Sequence, residues 1–176
     1  MTGNSTVRSR TTRGAAMLLG AVTALTMAAG PASAHHLKDV EKERTHIKNR
    51  ARSVVGTPYR SGGTTPSGFD CSGMTRWAFL DHGASLPRTS QEQFNIGSTG
   101  RGYKRIWKRS QLLPGDLVFH KTTSAQVGHV GIYLGDGKFI STTSSSGVRV
   151  NSLYDPYYWG SRWVGATRVP ATIRYR

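Results

Sequence analysis

The order of its periodicities constrains the fold of this chain more than any other feature: helical spacing fills the first half and strand spacing the second. Residues 35–55 are charged, with Leu37, Val40, Ile47 and Val54/Val55 roughly on one stripe, which predicts a surface helix ended by Gly56-Thr57-Pro58. Residues 60–68 are a loop by composition. A second helix is predicted from Asp70 or Cys71 to about Asp81, with Met74, Trp77 and Ala78 on one face and Gly83 as C-cap. Thr89-Ser90-Gln91-Glu92 matches a capping box, so a short helix should run through Phe94. Beyond it, the turn Pro114-Gly115-Asp116 feeds Leu117-Val118-Phe119. Residues 127–134 and 138–142 form a hairpin around Gly135-Asp136-Gly137, and 148–150 and 163–169 read as further strands. Helices first and strands afterwards predict α+β with an antiparallel sheet, not alternating βαβ units.

The amino-terminal end has a separate purpose. Arg8, Arg10 and Arg13 precede an apolar, uncharged stretch over 15–29, and Ala32-Ser33-Ala34 supplies the small-residue pattern of a signal-peptidase site. Residues 1–34 are therefore predicted to be a cleaved export signal, and 35–176 a single domain. The apolar run is short for a membrane span, so no membrane anchor is expected. Cleavage would remove three of the 24 Lys+Arg and none of the 9 Asp+Glu, leaving 21 against 9. Such an excess favours polyanionic surroundings, which outside a bacterial cell means anionic wall polymers rather than nucleic acid. Scattered histidines and one cysteine lack metal-ligand spacing, so neither metal nor cofactor is expected.

That cysteine has no internal disulfide partner, and its neighbourhood suggests a reactive thiol. Gly68-Phe69-Asp70-Cys71-Ser72-Gly73 would place Cys71 in the first turn of the predicted helix, with Asp70 as N-cap. Unpaired N–H groups and the positive dipole end are expected there to lower the thiol pKa and later to hold an oxyanion. Phe69 stands where a nucleophile elbow needs glycine, which disfavours an α/β-hydrolase. The base must come from elsewhere. His35, His36 and His46 fall in the charged first helix, where solvation is expected, and His82 near a helix end, as a dipole partner. Of His120 and His129, the second is favoured, because it opens an apolar strand between glycines.

Three separated motifs, Asp70-Cys71-Ser72-Gly73, Pro114-Gly115-Asp116-Leu117-Val118-Phe119 and Gly128-His129-Val130-Gly131-Ile132-Tyr133, together resemble the NlpC/P60 cell-wall peptidases. The similarity includes Gly56-Thr57-Pro58-Tyr59 and spans roughly residues 45–169. It implies a papain-like α+β domain, helices packed on a central antiparallel sheet, that cuts peptidoglycan stem peptides, commonly between D-glutamate and the following diamino acid. It also implies Tyr59 beside the thiol and Asp70 and Ser72 in substrate binding. Core packing for Tyr59 and helix capping for the other two are the plainer readings. The family's third polar residue, often His, falls twelve positions after the base, here at Ser141. A two-residue turn at 136–137 would turn Ser141 away from His129, whereas a three-residue loop would pair it with Gly131 on the same face. Thr142, Thr143, Asn151 or a water are alternatives.

The run Arg101-Gly102-Tyr103-Lys104-Arg105-Ile106-Trp107-Lys108-Arg109 reads either as a solvated loop or as a phosphate-polymer contact. Tyr154, Tyr157, Tyr158 and Trp159 would line a glycan groove or fill core. The expectation is a secreted, wall-associated cysteine peptidase using Cys71, His129 and Ser141. Alternatives are an amidase or acyltransferase with the same pair, and a basic wall-binding domain with an inert site.

Overall fold

In the computed structural model, residues 1–3 and 31–170 are described; most of the predicted export signal lies outside them. Helix α1 (Pro31–Ser53) runs through the predicted cleavage point. No described helix is long and apolar enough to cross a membrane. Ile47 and Ala51 of the second half of α1 and Val54 just beyond it are buried, whereas Leu37 and Val55 of the predicted stripe are exposed. Two short strands, β1 (Thr64–Thr65) and β2 (Gly68–Phe69), pair within the predicted loop. Helix α2 (Cys71–Phe79) then passes into a 3₁₀ turn over Leu80–His82, and Gly83 adopts φ +67°, the left-handed cap the sequence predicts. Helix α3 (Ser90–Asn95) starts at Thr89 with both halves of the capping box formed.

The sheet contains β3 (Lys104–Ile106), β4 (Leu117–His120), β5 (His129–Gly135), β6 (Lys138–Thr143), β7 (Gly147–Ser152) and β8 (Trp163–Arg168). Its order is β3-β8-β4-β5-β6-β7, antiparallel throughout. This is the α+β arrangement expected, with the basic run 101–109 contributing an edge strand. Two of its cations are structural. Arg105 stacks 3.4 Å from the Phe94 ring centroid and donates to the Phe94 carbonyl, and Arg109 donates to the carbonyl of Gly160.

Alternation along the strands divides the core. Leu117, Phe119, Val130, Ile132, Ile140 and Val148 meet Ile47, Met74 and Phe79 of the helices. Val118, Tyr133, Phe139 and Ala166 lie on the other face with Leu112, Leu153 and Trp159. The Pro114-Gly115-Asp116 turn is fixed by its carboxylate, fully buried and met by Arg168 Nη2 at 2.8 Å and Arg44 Nη1 at 3.4 Å. One turn thereby ties β8 and α1 to the start of β4.

Candidate active site

Cys71 begins α2 because Asp70 caps it: the Asp70 Oδ1 accepts from the Gly73 N–H at 2.7 Å. Preceding residues fold back on the same point. Phe69 N–H donates to Pro58 O, Asp70 N–H to Gly63 O, and Tyr59 bridges Phe69. The loop is pinned to β7 by Val148 N–H donating to Thr57 O at 2.8 Å and Gly56 N–H to Val148 O at 2.9 Å. Tyr59 is thus brought into one cleft with Cys71, as the family resemblance implies.

Sulfur and imidazole reach that cleft from opposite sides of the sheet. Cys71 packs against the helix-side core, whereas alternation assigns His129 to the other face. They converge because His129 is the first residue of β5, where its ring emerges at the strand's open end. Both side chains line a cleft of about 580 Å³ with Tyr59, Asn151, Tyr158 and Trp159. The backbone N–H of Val130, next in sequence after His129, is directed to the thiol.

Electrostatics here correct the sequence expectation. Burial pushes the Cys71 thiol above its ordinary value, and the charge of Asp70 adds to this. The N–H groups of Val130, Ser72 and Cys71 itself pull downward without prevailing. The helix terminus stabilises the thiolate as anticipated, but desolvation outweighs it. Burial likewise lowers His129 to about 4. At neutral pH the resting pair is a neutral thiol and a neutral imidazole.

Asp70 and Ser72, the residues implied in substrate binding, stand at the start of α2. Neither lines the cleft; both are held by Arg88, whose guanidinium bridges Asp70 and donates to Ser72 Oγ at 2.9 Å. Burial alone would raise the Asp70 carboxyl, but hydrogen bonds from Arg88, Gly73 and Ser72 hold it below its ordinary value. The capping reading holds for Asp70, and Ser72 is a link in the Arg88 network. Sequence reasoning misses Arg88 and Gln93. Gln93 is fully buried, donating to Ser72 O at 3.1 Å and accepting from Thr75 Oγ1 at 2.8 Å. Their sole sequence signal is adjacency to the capping box.

Ser141 lies on the face of the sheet that carries His129. The turn has two residues, Asp136 (φ +50°) and Gly137 (φ +68°), with Gly135 paired to Lys138; a register shift between Tyr133 and Gly135 then pairs Ile132 with Ile140 and sets Ser141 opposite Gly131, on the His129 face. A Cβ at Gly131 would lie 3.0 Å from that of Ser141, so glycine permits the approach. Yet Ser141 Oγ accepts from Asn151 Nδ2 at 3.2 Å, and no hydrogen bond joins it to His129 among the described residues. The imidazole Nε2 is sealed without a protein partner, leaving Nδ1 toward the cleft. Aromatic packing holds the ring instead: Trp159 lies 4.9 Å away, centroid to centroid. Trp159 and Tyr158 therefore line the cleft, while Trp159 also belongs to the core.

The remaining histidines do other things. His82 is buried, with His46 Nδ1 3.1 Å from its Nε2, and desolvation lowers it to about 4, so it is no cationic dipole partner. Among the described residues no group of three His, Cys, Asp or Glu side chains could hold a metal.

Comparison with known proteins matches this geometry to one group. Over 153 residues the chain is 38% identical to the murein DD-endopeptidase MepH of Escherichia coli, covering 84% of this chain and 54% of that protein. It is 33% identical to the gamma-DL-glutamyl hydrolase of Bacillus subtilis, covering 71% and 30% respectively. The chain thus spans about half of the first relative's length and under a third of the second's. The structure of the peptidoglycan hydrolase RipB of Mycobacterium tuberculosis superposes with a TM-score of 0.60 at 28% identity, over 84% of this chain and 74% of that one. The model of the NlpC/P60 family matches residues 56–168, and the chain belongs to that family.

Proposed function

We propose that the protein is a secreted cysteine endopeptidase that hydrolyses peptidoglycan stem peptides at the D-glutamyl–diamino acid bond. The observation that carries this reading is the convergence of Cys71 and His129 on one cleft, with backbone N–H groups directed to the sulfur. His129 Nδ1 accepts the thiol proton as Sγ bonds to the peptide carbonyl carbon, and N–H groups at the start of α2 receive the developing oxyanion. Collapse breaks the C–N bond, and the imidazolium returns its proton to the departing amine. Water then attacks the thioester, His129 taking its proton, and the acid and free thiol are released.

The lining suits the substrate. Hydroxyls of Thr122, Thr123, Thr143, Ser144 and Ser145 surround the cleft, and Arg149 is the single Lys or Arg among its lining residues, opposed there by no carboxylate. A stem peptide rich in carboxylates finds one cation and many hydrogen-bond partners. Relatives named for a DD bond and for a gamma-DL-glutamyl bond mark the two classes of cleavage to be distinguished.

Digestion of purified peptidoglycan, with mass analysis of the released fragments, tests the reading. Wild type should release peptides that begin with the diamino acid and leave D-glutamate as the new carboxyl end on the glycan-linked fragment. Cys71→Ala should release none while keeping its melting temperature. Turnover by that variant, or fragments cut at another bond, would overturn the mechanism or the bond respectively.

A further inference from the structure

We propose that His120 positions the catalytic base, holding His129 through one water between the two imidazoles. This rests on His129 being the base for Cys71. His120 and His129 are direct cross-strand partners of β4 and β5, so their side chains share a face. Their ring centroids are 6.4 Å apart. That is too far for a direct N···N hydrogen bond and close enough for a single bridging water.

Three buried nitrogens lack a protein partner, and such a bridge would pair two of them, one on each ring. Both ring nitrogens of His120, which is 0% exposed, and Nε2 of His129 have no protein partner. Sealing a polar atom unpaired costs stability that a bridging water would restore. The surroundings of His120 otherwise fit a phenyl ring: Phe139 stacks at 4.9 Å, and Trp159 and Trp163 stand edge-on at 5.0 and 6.2 Å. A histidine in that aromatic box has a polar task that Phe would not perform. The box also fixes the ring plane, so the orienting group is itself rigid. Ser141 makes no hydrogen bond to His129 among the described residues; its hydroxyl accepts from Asn151.

The chemistry balances. As Sγ bonds to carbon, its proton passes to Nδ1 of His129. The imidazolium Nε2–H then donates to the water, and the water donates to the lone pair of His120. No proton leaves His129 along this path. Burial keeps His120 neutral and hence able to accept.

The test compares wild type, His120→Phe, His120→Gln and Cys71→Ala on a soluble stem tetrapeptide. His120→Phe should lower kcat by about tenfold or more with KM little changed. Its melting temperature should hold or rise, and His120→Gln should recover part of kcat. A packing role alone would move the melting temperature and leave kcat; wild-type kcat in His120→Phe overturns the proposal. Should that variant not fold, ¹⁵N shifts of the wild-type rings decide without turnover. The Nε2–H tautomer of His129 is expected, and the Nδ1–H tautomer overturns the proposal. Turnover surviving in Cys71→Ala would instead remove the peptidase reading itself.

Discussion

Burial drives Cys71 and His129 toward the same state, neutral, and this sets how the proposed reaction would begin. The thiol lies above its ordinary value and the imidazole is lowered to about 4, so the proposed attack is base-assisted rather than launched from a preformed ion pair. A lowered histidine stays unprotonated down to the lowered value. The acid limb of kcat/KM is therefore expected near pH 4, well below the ordinary imidazole value of about 6.5. For the thiol the sign is opposite: alkylation of Cys71 by iodoacetamide should still accelerate as pH rises past its ordinary value of 9.0. A rate plateau at neutral pH would contradict a thiol raised by burial. Cys71 and His129 were legible in the sequence as a candidate pair, because each sits in a local motif, and the structure places both on one cleft. Their protonation was not, because desolvation is a property of the packed neighbourhood.

The amino end of α2 is held by contacts from three segments, and its glycines record how closely they approach. A Cβ at Gly73 would overlap the carbonyl oxygen of Gly63, a backbone atom that cannot swing aside. Gly73→Ala is thus expected to displace the first turn of α2 and with it the sulfur, lowering both melting temperature and turnover. Circular dichroism melts and peptidoglycan digestion would check this. Thr89→Ala removes one half of the capping box of α3 and should cost about 1 kcal/mol in denaturant unfolding. The caps at Asp70, Gly83 and Thr89 were readable because capping is chemistry within a few residues. The hold of Arg88 on Asp70 and of Gln93 on Ser72 was not, because partners 18 and 21 residues apart meet only when α2 and α3 pack. Ser141 shows both sides: the two-residue turn at 136–137 was readable, but the register shift between Tyr133 and Gly135 that sets Ser141 on the His129 face was not.

Across the molecule, three buried histidines couple stability to pH. His82 and His129 are lowered to about 4 and His120 to about 3. The unfolded chain binds protons near 6.5 while the folded chain resists them, so their contribution is complete above 6.5 and is lost as pH falls toward 4. The melting temperature should fall steadily between about pH 7 and 4.5, and a flat profile would contradict the assignment. Formal net charge is +15 over the whole chain, so retention on anionic wall polymer should weaken as NaCl rises from about 0.05 to 0.5 M. If residues 1–34 are removed on export as proposed, amino-terminal sequencing of the exported protein should begin at His35.

Local sequence was enough to set the run of helices followed by strands, the caps and turns that bound them, and the two residues that meet in the cleft. Each is written in the spacing of apolar, capping and glycine residues, which acts over a few positions of chain. Long-range packing had to decide that the thiol is pushed up, that Arg88 occupies Asp70, and that His120 lies sealed beside the base. These depend on which side chains exclude water from which others, and that is fixed only when distant strands and helices close on one another.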